Sequence, residues 1–233
     1  MKLCSRLLSL VVTLVATVGL QAAEPKPAMI VQVVTTDDAD AYATKLVKGN
    51  EIIKALAGYE KLRHVWVGDA AGENTQSVFV VSVFPSAAAA AQLQDKLAHD
   101  SKAIEFLTEL KAIRKLGPQY LYKSVRNEGM YEGGACFNTS INCTDEDAYA
   151  KALDALKAIT DAAGFKDAKL NLWRLAAGRS DSTHLVVICL PSKLRVGELL
   201  DAINDQGLLK EWNVGAAKLR TTVRNASYHE ITK

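Results

Sequence analysis

The sequence lacks most of the short motifs that mark well-known catalytic sites. It contains no G-x-S-x-G turn, no G-x-G-x-x-G loop, no Walker loop and no H-E-x-x-H pair. Histidine and cysteine each occur only four times, and the spacing of Cys136 and Cys143 is unlike that of a zinc site. We therefore predict no cofactor and no metal site.

Long apolar runs are missing everywhere except near the first residue. A positive start with Lys2 and Arg6 precedes an uncharged apolar run over 7–20, and small residues follow up to 23. This run is shorter than the roughly 20 residues that cross a bilayer. We therefore predict a cleaved secretory signal over 1–23, a periplasmic or secreted protein, and no membrane span after cleavage. An uncleaved anchor is the alternative.

An excess of charge of one sign is also missing. Removing residues 1–23 takes two of the 28 basic residues and none of the 26 acidic ones, so the mature chain carries equal numbers of both. A nucleic-acid-binding surface needs a basic face that matches the phosphate backbone. We therefore exclude nucleic acid as a partner.

The most informative feature present is an internal repeat. The run Asp40-Ala41-Tyr42-Ala43 returns as Asp147-Ala148-Tyr149-Ala150, 107 positions later. Further landmarks recur in the same order, namely Gly58 and Gly164, Trp66 and Trp173, and Pro85-Ser86 and Pro191-Ser192. We predict two modules, 28–126 and 135–233, joined by a Gly-rich polar linker at 127–134.

Each module has the predicted element order β-α-β-β-α-β. The first strands are predicted at 30–34 and 137–141 from their alternating or β-branched residues. Asp37 and Thr144 are the predicted N-caps of the first helices. The second helical segment is predicted to break near Asp100.

This element order with right-handed crossovers predicts a ferredoxin-like, four-stranded antiparallel sheet with both helices on one face. The other apolar face of such a sheet must be covered. We therefore predict an α+β fold in which tandem ferredoxin-like modules pack sheet to sheet as an internal pseudo-dimer. The chain would then be a pseudo-dimeric monomer, and higher oligomers stay possible.

Three cysteines remain in the mature chain, an odd number that leaves at least one unpaired within it. Cys136 and Cys143 are too far apart to bridge if they share one strand. Antiparallel pairing of the first and third strands brings Cys136 near Cys189, which makes this the candidate disulfide. Buried free thiols are the alternative that the sequence favours.

The second helical segment of the first module has a familiar pattern. Its residues LAHDSKAIEFL at 97–107, continuing to LGPQY at 116–120, resemble the antibiotic-biosynthesis-monooxygenase (ABM) family over about one module. That family often shows a His, then a Ser and two spaced aromatics, then Gly-Pro. The resemblance implies a dimeric α/β barrel with a pocket between sheet and helices in each module. It also implies activities such as cofactor-free oxygenation of polyphenols or oxidative haem breakdown.

The sequence departs from the family pattern at several positions. His99 lies one residue nearer to the Ser than is usual, and Ile104 and Leu107 replace the aromatic pair. The second module lacks the His, and the His, Trp and Asn set of the haem-degrading branch is incomplete. The fold therefore carries over better than any activity does.

Two equivalent tryptophans are the most suggestive side chains. Trp66 shares one face of its strand with His64, and Trp173 shares the equivalent face with Asn171. An indole beside a polar group can bind an aromatic ligand by stacking and hydrogen bonding. We predict these four as ligand-binding residues, with simple core filling as the alternative.

His99 is the candidate catalytic base, because an imidazole near neutral pH can take a proton from a phenol. A solvated helix histidine is the alternative.

Two functional hypotheses follow. The first is an exported protein that binds a small hydrophobic or aromatic molecule without catalysis. The second is a cofactor-independent monooxygenase-like enzyme with one active pocket in the first module, so the sequence leaves open whether the protein is an enzyme.

Overall fold

The computed structural model of the chain describes residues 25–58, 63–70, 77–205 and 207–231, with the backbone alone at 63, 64, 69, 70 and 77. The signal predicted over 1–23 and the side chain of His64 therefore lie outside the described residues. Strands and helices follow in the order β1 (Ala28–Thr35), α1 (Ala39–Ala57), β2 (Arg63–Ala70), β3 (Ser77–Phe84), α2 (Ala87–His99), α3 (Ser101–Lys111), β4 (Lys115–Arg126), β5 (Ala135–Cys143), α4 (Glu146–Ala162), β6 (Lys169–Ala177), β7 (His184–Leu190), α5 (Lys193–Asn204), α6 (Lys210–Ala216) and β8 (Arg220–Glu230).

The strands form one closed antiparallel barrel in the order β1-β3-β2-β8-β5-β7-β6-β4. The first four strands are adjacent as β4-β1-β3-β2, and the last four as β8-β5-β7-β6. These two groups join where β2 pairs with β8 and where β4 pairs with β6. Sheet-to-sheet packing was the expectation, but hydrogen bonding along both edges makes a single continuous sheet with an inner and an outer face.

Alternation along each strand separates these two faces. On β1, Val34 packs under the helices of the first half, whereas Met29 and Val31 point into the barrel. Helices α1–α3 lie against the outer face of the first four strands, and α4–α6 against that of the last four. The barrel interior is therefore a second core, separate from the helical layers.

The helix starts differ from the sequence prediction by one residue. Asp38 caps α1 in place of Asp37, and Asp145 caps α4 in place of Thr144. In both cases an extended backbone lets the carboxylate accept a hydrogen bond from the amide three residues on, at 2.8 and 2.9 Å. The predicted break near Asp100 is confirmed, because Asp100 ends α2 and its carboxylate caps α3.

Cys136 on β5 and Cys189 on β7 form a disulfide bond. The two residues are directly opposite each other in the strand register, with Cα atoms 4.1 Å apart. Both are buried on the inner face of the barrel. Buried free thiols therefore do not describe this pair, whereas Cys143 is free.

We expect the double variant Cys136→Ala/Cys189→Ala to lose about 2–5 kcal/mol of unfolding free energy, because the bond links residues 53 positions apart and restricts the unfolded chain. Urea denaturation without reductant measures this loss. The free and only partly buried Cys143 provides the control, and Cys143→Ala should change stability by less than about 0.5 kcal/mol. A double variant as stable as the unmodified chain would contradict the assignment.

Gly49 lets α3 approach α1 closely. It is buried in the middle of α1, and a Cβ at this position would overlap the ring of Phe106 on α3. Alanine normally stabilises a helix interior over glycine by about 1 kcal/mol. Here the overlap would displace the aromatic ring, so packing decides which residue the position accepts.

We expect Gly49→Ala to destabilise the protein by about 1–3 kcal/mol, the usual cost of overpacking a core. In a Phe106→Ala background the ring is gone, and the same glycine substitution should become neutral or stabilising. Urea unfolding of the four proteins in this double-mutant cycle gives the coupling energy. Additive effects would show that the ring and the glycine do not compete for space.

Candidate functional site

The barrel interior contains a cavity of about 430 Å³, which we call the lumen cavity. Its walls come from both halves of the chain. Trp66 on β2 and Trp173 on β6 both line it, and both are buried. A volume of this size falls within the usual range for small-molecule sites.

Strand register explains why the two tryptophans meet inside the barrel. Trp66 is opposite Phe79 on β3, and Trp173 is opposite Leu185 on β7. All four side chains belong to the inner cluster of the barrel and line the cavity. The structure therefore brings together two of the four predicted ligand-binding residues.

Asn171 has a different position from the tryptophans. Its Oδ1 accepts a hydrogen bond from the Glu128 amide at 2.7 Å, and its Nδ2 donates to the Gly129 carbonyl at 3.0 Å. These bonds attach residues 127–134, the predicted linker, across one end of the barrel. Met130 and Tyr131 of this segment pack on the inner cluster. Asn171 thus holds the segment that covers this end.

His99 does not join the tryptophans, and His64 is described by its backbone alone. His64 is placed by its backbone, opposite Val81 on β3, and its side chain is outside the described residues. His99 is at the end of α2 with its side chain 77% exposed, and its Nδ1 lies 2.8 Å from the Asp95 carbonyl oxygen. It is absent from the described lining of the lumen cavity.

Buried polar groups in the lumen cavity were not identified from the sequence. Burial raises the pKa of Tyr122 to about 12 and also raises the pKa of Tyr228. Both phenols are therefore protonated at neutral pH and able to donate hydrogen bonds. The Oδ1 atom of Asn138 is buried and has no hydrogen-bond partner among the described residues. A bound molecule with a donor group could satisfy it.

The opening of the lumen cavity is polar. Arg179, Ser180 and Asp181, from the turn between β6 and β7, line the cavity and are exposed to solvent. Arg224 on β8 lines it as well and is also exposed. The exposed residues of the lining therefore lie at the mouth of the cavity, and the buried tryptophans lie at its deep end.

A sequence signal for some of these residues did exist. Tyr120 and Tyr122 are two positions apart in the sequence, so they share one face of any strand that contains both. Nothing in the sequence tells which face of that strand points into the barrel. Arg179 reaches the cavity from a turn, and the hydrophobic periodicity of a sequence does not predict the path of a turn.

A second cavity, of about 330 Å³, lies between the sheet and the helices of the first half, and we call it the interlayer pocket. Its polar lining includes Tyr42, Gln94 and Arg114, and the Arg114 Nη1 donates to the Tyr42 hydroxyl at 2.9 Å. Leu97 and Ala98 line it, whereas the neighbouring His99 is absent from the described lining. This is the location that the ABM resemblance implies for a pocket.

Larger apolar side chains occupy the equivalent positions in the second half. In the first half Ala28 is opposite Phe84, and in the second half Ala135 is opposite Leu190. Ala28 therefore corresponds to Ala135, and Phe84 corresponds to Leu190. On this basis Ile30 and Ser82 of the interlayer pocket correspond to Phe137 and Ile188, and both of the latter belong to the helical core of the second half. Trp212 also packs there, with its Nε1 donating to the Ala152 carbonyl at 2.7 Å.

Two further properties bear on the kind of site present. Within the described residues, no group of three or more His, Cys, Asp or Glu side chains is arranged to hold a metal ion. None of the described helices has both the length and the apolar character needed to span a membrane.

No protein-family model matches the sequence, and no curated protein matches it significantly. Solved structures do match it in shape. A putative monooxygenase from Fusobacterium nucleatum has a TM-score of 0.57 at 9% identity, over 89% of this chain and 94% of that one. A putative monooxygenase from Lactobacillus acidophilus has a TM-score of 0.57 at 12% identity, over 89% of this chain and 95% of that one. A heme-binding protein from Thermus thermophilus has a TM-score of 0.53 at 9% identity, over 89% of this chain and 92% of that one.

Anthrone oxidase-like and chlorite dismutase structures match in the same way. These neighbours are proteins of the dimeric α/β barrel superfamily. Identities of 9–13% are too low to carry an activity from one protein to another. The likeness therefore establishes that the chain has this α+β barrel fold.

Proposed function

We propose that the chain binds a small aromatic or hydrophobic molecule in the lumen cavity, between Trp66 and Trp173. The observation that carries this proposal is the cavity itself, since two buried indoles border an open volume inside a barrel. Aromatic stacking contributes about 0.5–1.5 kcal/mol per ring pair beyond area burial. The protonated phenol of Tyr122 adds a hydrogen-bond donor.

The proposal extends to how the chain is built and where it acts. We propose two ABM-like modules, 28–126 and 135–233, that serve as each other's dimer partner. The shared strand order of the two halves supports this. We also propose export to the periplasm or the extracellular space, on the basis of the signal predicted over 1–23. The exposed position of His99, whose Nδ1 lies beside the Asp95 carbonyl oxygen, favours binding over catalysis.

Haem is a candidate ligand to test against the two cavities, because one structural neighbour is a heme-binding protein. The described lining of neither cavity includes a histidine that could be an axial ligand. Cys136 in the lumen cavity is held in a disulfide, and the Tyr42 hydroxyl of the interlayer pocket is bonded to Arg114. Burial raises the pKa of Tyr122 and of Tyr228 in the lumen cavity, which disfavours the phenolate that would ligate haem iron, so the proposal assigns no step to haem.

Naphthamide, a neutral bicyclic aromatic, is a suitable probe, and isothermal titration calorimetry should detect its binding to the mature protein. Ala226 is buried, lines the lumen cavity and points into it from β8. We expect Ala226→Phe to fill the cavity and weaken naphthamide binding at least about tenfold, since overlap with the ligand costs more than 1.4 kcal/mol.

Ala98→Phe is the matched control, because Ala98 is exposed and lines the interlayer pocket instead. It should leave naphthamide binding unchanged. Circular dichroism and thermal melts of both variants confirm that each still folds. If Ala98→Phe abolished binding and Ala226→Phe did not, the ligand site would be the interlayer pocket and the lumen proposal would fail.

The second candidate function is monooxygenase-like catalysis in the first half, with His99 as base. The observation favouring it is that the interlayer pocket occurs where the ABM resemblance implies a pocket, next to Ala98. Catalysis would require the exposed His99 ring to leave Asp95 and turn toward this pocket.

Oxygen consumption with a panel of quinols and anthrones tests this candidate. If His99 is the base, His99→Ala should slow oxygen uptake by about 100-fold or more, the usual contribution of a general base. Ala98→Phe should block it as well, and Ala226→Phe should not. No oxygen uptake by the unmodified protein, or uptake that survives His99→Ala, would exclude this mechanism.

A further inference from the structure

We infer that the ligand of the lumen cavity carries a carboxylate, which Arg224 and Arg179 bind at the mouth while the aromatic part lies between the tryptophans. This inference rests on the proposed function, in which the lumen cavity is the binding site. It adds the chemical class of the ligand and its orientation.

The lining of the lumen cavity changes character from one end to the other. The deep part is mainly apolar, with the buried side chains of Met29, Trp66 and Trp173 beside the disulfide at Cys136. The mouth is polar and exposed, with Arg179 and the residues next to it. A molecule that matches both parts has a flat apolar body and a polar group at one end.

The charges at the mouth favour a negative group. Arg179, Asp181 and Arg224 are the charged residues of the described lining, so positive charge exceeds negative by one. Neither Arg179 nor Arg224 forms an ion pair with a carboxylate among the described residues.

Three other arginines of the chain do form ion pairs with carboxylates. Arg126 pairs with Glu128 and Asp154, and Arg174 pairs with Glu146. Arg195 pairs with two acidic residues as well. The two guanidinium groups at the cavity mouth therefore retain donors that a ligand can use.

The charge of Arg224 also reaches into the cavity. Burial raises the pKa of the Tyr122 phenol, and the positive charge of Arg224 partly opposes that rise, more strongly than Asp181 adds to it. Arg224 acts in the same direction on the pKa of Tyr228. The phenols stay protonated and can donate hydrogen bonds, so the polar groups around the entrance suit a ligand with accepting oxygens.

Strand register relates Arg224 to the polar residues deeper in the cavity. Arg224 on β8 is directly opposite Ser140 on β5, and the next inward pair is Ala226 opposite Asn138. All four line the cavity. The planar fork of an arginine binds a carboxylate through two parallel N–H···O bonds, which is why we assign a carboxylate to this position.

Calorimetry with two isosteric probes tests the inference. Naphthoate carries the carboxylate, and naphthamide has the same shape without the charge. We expect the mature protein to bind naphthoate about tenfold more tightly than naphthamide, the gain typical of charge-assisted hydrogen bonds. The preference should shrink as salt is raised, because the arginines are exposed.

Arg224→Gln and Arg179→Gln should each reduce this preference, and the double variant should abolish it while naphthamide affinity stays within about twofold. Arg174→Gln is the control, since Arg174 is an exposed arginine on β6 that pairs with Glu146 on the outer face. It should leave the binding of both probes unchanged.

The outcomes separate this inference from the proposed function. Equal affinity for both probes, or a naphthoate preference that survives the double arginine variant, would overturn the carboxylate assignment and leave the lumen site intact. Loss of the preference in Arg174→Gln would show a general charge effect and would also overturn it. Binding of neither probe would refute the proposed function and the inference together.

Discussion

Two pairs of edge strands, β2 with β8 and β4 with β6, convert two four-stranded groups into one closed barrel. Each pairing satisfies backbone groups that would otherwise be exposed at a sheet edge, where strands are prone to pair with other chains. Closure also gives the sheet an inner face that none of the described helices covers. The proposed lumen site depends on that face, because its side chains come from both halves of the chain and meet only when the barrel closes.

The two halves use the same strand order but distribute space differently. In the second half, Phe137 and Ile188 help to fill the region between sheet and helices, and Trp212 packs there with its indole nitrogen bonded to a carbonyl. In the first half the corresponding positions are Ile30 and Ser82, and the interlayer pocket remains. At these positions the layers are packed more tightly in the second half than in the first, whereas the lumen cavity draws its walls from both halves.

The sequence was sufficient for features that depend on neighbouring residues. It predicted the element order and the helix break at Asp100, because caps and periodicities are local signals. The predicted N-caps were wrong by one residue, since Asp37 and Asp38 are both capable caps and only the backbone conformation selects one. The lumen cavity could not be predicted, because its size depends on how far strands from distant segments are staggered around the barrel.

The disulfide connects the barrel interior with the proposed export of the protein. The pair Cys136 and Cys189 in the second half corresponds by strand register to the pair Met29 and Val83 in the first half. One half therefore has a covalent bond where the other has an apolar contact. A disulfide persists in oxidising compartments and is rare in a reducing cytosol. The apolar signal predicted over 1–23 would deliver the chain to such a compartment. The signal predicted over 1–23 and the disulfide inside the barrel therefore favour the same location, where the bond would hold one wall of the lumen cavity in place.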